Sequence, residues 1–179
     1  MNNLKELTWD THQRAERTSF ARKLLKGLTP EDYYRYLYNQ YLIYSALESQ
    51  ARSWGVLTGI EGIKRAEKIQ KDLEELEQDY KLERSEDLVC DTVKEYVSYI
   101  KNVTDYDRLL SHIYVRHFGD MYGGQMIHKR NPGSGTMYQF DDVEELKERV
   151  RFRLKDSMAD EANTCFEFAI QLFKDLDNE

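Results

Sequence analysis

Along most of the chain, apolar residues recur every three or four positions, the period of an amphipathic helix. The pattern predicts a first helix over residues 4–17 and a short second one ending near Lys26, stopped by Gly27. Thr29-Pro30-Glu31-Asp32 is a strong helix start, with an N-cap hydroxyl, proline at the first helical position and acids in the first turn. The helix that follows is expected to run to about Trp54, where Gly55, Gly59 and Gly62 mark a break. Residues 63–80 read as a charged helix, and Ser85 is expected to cap another that reaches about Lys101. Thr104, with Asp105 and Asp107, opens a long helix ending on His128-Lys129-Arg130, cations suited to a helix C-terminus. Asn131-Pro132-Gly133 closes it, and a loop follows to Phe140. Asp141 with Glu144 resembles a capping box, and a final helix, interrupted near residues 156–160, reaches about Leu176. The expected fold is therefore an all-α bundle.

The chain has 179 residues, which suits one domain over 1–179 with a real core. Charged residues make up 33% and hydrophobic ones 40%, as in a soluble protein. A formal charge of −7 argues against general nucleic-acid binding and leaves room only for a local basic patch. Cys90 and Cys165 lie far apart with no CxxC, so two reduced, buried thiols in a cytoplasmic protein are expected. No apolar run has the length of a membrane span, the start MNNLKELTWD lacks signal-peptide character, and the end FKDLDNE is too polar for an anchor.

The long helix contains YVRHFGDMYGGQMI, with Gly119, Gly123 and Gly124 in its interior. Each interior glycine costs about 1 kcal/mol against alanine, so the three cost about 3 kcal/mol. The ordinary reading is close helix packing or a kink. The sharper one is that a large flat ligand lies against backbone that any Cβ would keep away. Asp120 bears on the choice. It can pair with Arg116 four residues earlier, or it can hold ordered water over such a ligand.

His12 has Glu16 four residues on, on the same helical face. A metal-ligating histidine usually gives its other ring nitrogen to a carboxylate. Lys5 lies seven residues earlier, roughly 10 Å back along that face. An amphipathic helix with solvated charges accounts for the same residues. No glutamate stands three residues before any histidine, which disfavours a carboxylate-bridged di-iron site. In the run DYYRYLYNQYLIY, Leu37, Tyr41, Tyr44 and then Glu48 share a face, so Glu48 is expected to serve a polar network. Lys147 and Arg151, four apart, are either an exposed basic face or a clamp for carboxylates.

These pieces together resemble the haem oxygenase family. The likeness runs from LKELTWDTHQRAE through YLIYSALES and HIYVRHFGDMYGGQMI to ANTCFEFAIQLFKDL. It implies a helical fold in which haem is sandwiched between a proximal helix and a kinked, glycine-containing distal helix. It implies His12 as iron ligand with Glu16 as its partner, and Gly119, Gly123 and Gly124 as the close distal backbone. Asp120 would anchor the distal water network, with Arg116, Tyr44 and Tyr114 as further members. Lys5, Lys147 and Arg151 fall where the family holds the propionates, and Phe166 where an aromatic side chain lines the pocket. The sequence departs from the family pattern at four positions. Met121-Tyr122 replaces the common Leu-Ser, His117 replaces a common tyrosine, and Trp9 replaces a second basic residue before the histidine. Residues 55–99 match poorly.

The resemblance implies oxidative cleavage of haem at a meso carbon to biliverdin, CO and ferrous iron. Haem is then both cofactor and substrate, O2 is consumed, and an external donor such as a ferredoxin or a reductase supplies electrons. A monomer or weak dimer is expected, with no nucleic acid and no membrane. Two other readings remain at this point: a haem-binding carrier or sensor without turnover, and a helical interaction module without cofactor.

Overall fold

The computed structural model describes residues 2–177; Met1 and the last two residues of the polar tail, Asn178 and Glu179, lie outside it. Every regular element among the described residues is helical: α1 (Leu4–Leu7), α2 (Trp9–Glu16), α3 (Ser19–Lys26), α4 (Pro30–Ser53), α5 (Ala66–Tyr80), α6 (Asp91–Lys101), α7 (Tyr106–Arg130), α8 (Val143–Arg153) and α9 (Ala159–Asp177). Short 3-10 turns stand between several of them. No helix among the described residues is long and apolar enough to cross a membrane.

α4 and α7 are the two long supports of the site. Thr29 starts α4 as its sequence suggests, accepting from the Asp32 amide at 3.1 Å, with Pro30 in the first turn. The buried face of α4 carries Tyr33, Leu37, Gln40, Tyr44, Leu47 and Ala51, spaced by three or four. α7 is capped by Asp105, whose carboxylate accepts from the Arg108 amide at 2.9 Å, and it runs unbroken through all three glycines to Arg130. α9 packs on α7, α2 and α3 pack on α9, and α5 and α6 flank α4.

Four local expectations differ from the structure. The first helix is interrupted at Thr8, whose hydroxyl donates back to the Leu4 carbonyl at 2.9 Å and competes with the regular ladder. Lys5 and His12 therefore do not share one continuous helix. The helix expected over 63–80 begins at Ala66, after a 3-10 turn over Glu61–Ile63. Ser85 caps only the 3-10 turn Glu86–Leu88, and α6 starts after Cys90, whose amide donates to Asn39 Oδ1 at 2.9 Å. The Asp141–Glu144 capping box does not form: Asp142 holds the cap position, in a left-handed conformation (φ 52°) without a side-chain cap bond. The expected interruption near residues 156–160 is present as the 3-10 turn Asp156–Met158.

Glu48 joins three elements from the middle of the core. Its carboxylate accepts from the Arg65 and Ala66 amides, at 2.6 and 3.0 Å, and so caps α5 from a distance. The same carboxylate meets His117 Nε2 on α7 at 2.9 Å. The Arg65 guanidinium then bonds the carbonyls of Gly62, Met137 and Gln139 and stacks 3.6 Å from the Phe140 ring centroid. Cys90 and Cys165 are buried and form no disulfide.

Removing one partner of such a buried set leaves uncompensated donors and a buried charge. Glu48→Ala is expected to cost about 3–5 kcal/mol of unfolding free energy, read by urea denaturation. A loss under about 1 kcal/mol would show that the carboxylate does not bind these elements together.

Candidate functional site

Positions Gly119 and Gly123 lie one turn apart on α7. A Cβ built on either would meet nothing within 4 Å, so this face of the helix is open backbone. Gly124 is different. A Cβ there would fall 2.4 Å from the Tyr138 ring, so that glycine admits a tyrosine and not a ligand. Of the three glycines expected to form the ledge, two present it and the third answers the ordinary packing reading.

Asp120 stands next to the open face and is buried. Its carboxylate accepts a hydrogen bond from the Tyr44 hydroxyl, which also approaches the Arg116 carbonyl at 3.3 Å. Burial pushes the Asp120 carboxyl up to about 6, against the opposing pull of His117, the Tyr44 hydrogen bond, Arg65 and Arg116. Burial likewise holds the Tyr44 phenol well above its usual range, helped by the Asp120 charge, so it stays a donor. The His117 ring meets Tyr44 edge-on at 4.9 Å and donates from Nδ1 to the Ile113 carbonyl at 3.1 Å.

Arg116 does not take the simple ion pair that its spacing from Asp120 suggests. Its guanidinium turns to Tyr96, donating from Nε at 3.3 Å and lying 4.7 Å over the ring, and to Gln40 Oε1 at 3.4 Å. Its Nη2 is buried with no hydrogen-bond partner among the described residues. The chain of contacts continues through Tyr96 to His112 Nδ1 at 2.5 Å, and from His112 Nε2 to Glu161 at 2.7 Å. Burial raises the Glu161 carboxyl, but hydrogen bonds from His112, Tyr99 and Arg108 outweigh it and bring it down to about 2.

His12 sits on α2 with its side chain 38% exposed, and its Nε2 meets Glu16 at 3.3 Å. The ring stacks on Phe166 of α9 at 5.2 Å and meets Trp9 edge-on at 5.4 Å. The expected His12–Glu16–Phe166 group is thus assembled, with Nε2 as the nitrogen that faces the carboxylate. Tyr114 packs on Phe118 at 5.0 Å. Burial and the neighbouring Tyr122 raise its phenol, and both Arg151 of α8 and Glu6 of α1 lie close enough to act on it. Of the α8 cations Lys147 and Arg151, the first is buried and the second exposed, which replaces the ordinary picture of a uniformly solvated basic face. Lys5 is exposed on α1.

The family model described as "Heme oxygenase" matches residues 1–175. The chain belongs to the haem oxygenase family. It is 29% identical to heme oxygenase 2 of Macaca fascicularis over 97% of its length, and it spans 64% of that longer protein. It is 26% identical to heme oxygenase 1 of Synechocystis, covering 98% of this chain and 84% of that one. The solved structure of Synechocystis heme oxygenase-2 in complex with heme and NO is similar at a TM-score of 0.82, with 25% identity over 98% of this chain and 84% of that one. Heme oxygenase-1 from the same organism, in complex with heme, has the same fold at a TM-score of 0.83 and 23% identity, over 98% and 90% of the two chains.

Within this haem oxygenase fold, Tyr96, Glu161 and Gln40 are polar residues near the site that sequence reading passed over, and His112 is one that it weighed only as a di-iron ligand and set aside. Tyr96 lies in the segment that matches the family poorly, and His112 and Glu161 are 49 residues apart, so no local spacing joins them.

Two outcomes follow for the α7 wall. The folded Asp120 carboxyl holds its proton more tightly than the unfolded one, so stability falls as pH rises from about 4 to about 6, by ~3 kcal/mol. Asp120→Asn should flatten that slope and raise the midpoint at pH 7, measured by urea titration across pH. An unchanged slope would show that Asp120 is ionised without penalty. Gly124→Ala should cost about 1–3 kcal/mol by overpacking against Tyr138, while Gly119→Ala should leave stability level or raise it by up to about 1 kcal/mol. Equal thermal shifts for the two would contradict the assignment of their faces.

Proposed function

We propose that residues 1–179 act as one haem oxygenase domain, which binds haem against the open face of α7 and cleaves it at a meso carbon. The products are biliverdin, CO and ferrous iron, formed with O2 and electrons from an external donor. The observation that carries this reading is the placement of a buried carboxyl, Asp120, directly beside backbone that offers no side chain at Gly119 and Gly123. The residues present fit a flat, anionic, metal-bearing ligand: open backbone for its face, an imidazole with a carboxylate partner for its metal, and cations for its acids.

Bound haem supplies the iron that activates dioxygen and the ring edge that is oxidised. His12 would hold the metal through one ring nitrogen and pair with Glu16 through the other, and Phe166, stacked on the ring, would fix the plane of the imidazole. In the present geometry Glu16 faces Nε2. Lys5, Lys147 and Arg151 neutralise the two carboxylates and so orient the ring in its plane. Asp120, with a carboxyl near 6, takes and returns a proton close to neutral pH and passes it through water. Tyr44 fixes that carboxyl, and Arg116 supplies a buried positive charge whose Nη2 is free to order water. Tyr114 completes the wall towards α8. The basic end of α7, Lys129-Arg130, suits an acidic ferredoxin or a reductase. A cytoplasmic monomer or weak dimer fits this role.

Hemin titration followed by ascorbate tests the reading. A Soret shift and then a green bilin are expected. Return of intact haem would identify a carrier or sensor, and no Soret shift would remove haem from the account. His12→Ala should lose the histidine-ligated spectrum. Asp120→Ala should still bind haem yet form biliverdin at least about 10²-fold more slowly, the scale of a lost proton donor; a normal yield would reject the relay.

A further inference from the structure

Tyr122 stands where the family commonly has serine, in the middle of the glycine segment. Its side chain leans away from the open backbone and towards α8. Arg151 Nη2 donates to its hydroxyl, and Lys147 Nζ lies 3.8 Å from its ring centroid. Phe118, one turn earlier on α7, supports one of these cations: its ring lies 6.0 Å from Tyr122 and 5.6 Å from the Arg151 guanidinium. Tyr122 is itself 59% exposed, so it is not held there by burial in the core.

The Lys147 side chain is only 8% exposed, unusual for an ammonium. Its other contact, with Glu144 Oε2, is long at 3.4 Å, and that carboxylate is 86% exposed. The ring face of Tyr122 is therefore the close cover of this cation, as in a cation–π pair. One side chain thus occupies both cations of α8 that are read as carboxylate partners.

We infer that Tyr122 is a guard on the carboxylate clamp, which weakens acidic ligands and so narrows the difference in affinity between an acid and its ester. The inference rests on the haem reading above and adds to it. The phenol oxygen offers Arg151 an uncharged acceptor, and the ring face offers Lys147 only a quadrupole. A carboxylate offers a full negative charge to the same groups, so that an ion pair, bidentate at the guanidinium, takes the place of a bond to an uncharged acceptor. A ligand with carboxylates lifts the guard; one without them gains nothing from the two cations. The guard lowers affinity for every acidic tetrapyrrole by the strength of its own contacts.

The test compares haem with its dimethyl ester, which has the same macrocycle and iron but no carboxylates. Dissociation constants come from Soret titration of the full chain. Tyr122→Ser removes both contacts and should tighten haem about 3–10-fold, the scale of a partly exposed cation–π pair and one hydrogen bond. Tyr122→Phe keeps the ring over Lys147 and should fall between. The ester should bind all three proteins alike. Weaker or unchanged haem binding in Tyr122→Ser, or an equal gain for the ester, would overturn the inference. In the protein without ligand, acetylation of Lys147 by acetic anhydride, mapped by mass spectrometry, should be faster in Tyr122→Ser; an unchanged rate would overturn the cover. A wild-type chain that shifts the Soret band of neither probe would defeat the haem reading, and the acetylation rate would still show whether the ring covers the lysine.

Discussion

Tyr44 on α4 donates its hydroxyl hydrogen to Asp120 on α7, and that bond joins the two longest helices beside the open glycine face. Both groups are buried, and each holds the other in the form the site needs. The phenol stays protonated because burial and the nearby carboxylate oppose its ionisation. The carboxyl is pushed up to about 6 because burial outweighs the opposing pull of His117, the phenol, Arg65 and Arg116. A carboxyl placed so is a cost to the fold at neutral pH. Such costs are usual where a group must exchange protons on demand.

The surrounding structure carries that cost through two polar sets that grip α7 from opposite sides. Glu48 ties α7, through His117, to the start of α5 and to Arg65, which bonds two carbonyls of the loop before α8, Met137 and Gln139, and that of Gly62 ahead of α5. On the other side Arg116, Tyr96, His112 and Glu161 link α7 to α6 and α9. Arg108 and Tyr99 close that set at the surface by bonding Glu161. α7 is thus over-determined by hydrogen bonds on its buried sides. That support lets it tolerate glycine on the remaining face and keep a helical ladder there.

The glycines separate into two physical roles that composition alone does not distinguish. Gly124 admits the Tyr138 ring, whose hydroxyl lies 3.1 Å from that of Tyr36 on α4. Gly119 and Gly123 face open space. Tyr122, between them, turns its bulk to α8 and leaves the ledge bare, which resolves how a tyrosine fits in a segment otherwise free of large side chains on that face.

The sequence by itself determined the helical class, the cap at Thr29, the start of α7 around residues 104–107, the breaks around Gly27 and Gly55, and the family, because these rest on neighbours within one or two turns. It also marked His12 with Glu16 and the glycines with Asp120, since both are short motifs. It misjudged the start of α6 and the cap of α8, where several acids and hydroxyls compete for one position and tertiary bonds choose among them. Only the tertiary structure decided which glycine meets a side chain, that Arg116 turns to Tyr96, and that Tyr122 covers Lys147. Tyr44 and Asp120 are 76 residues apart, and His117 and Glu48 are 69 apart. Contacts of that separation leave no period in the chain; they exist only once the helices have packed and removed water from between them.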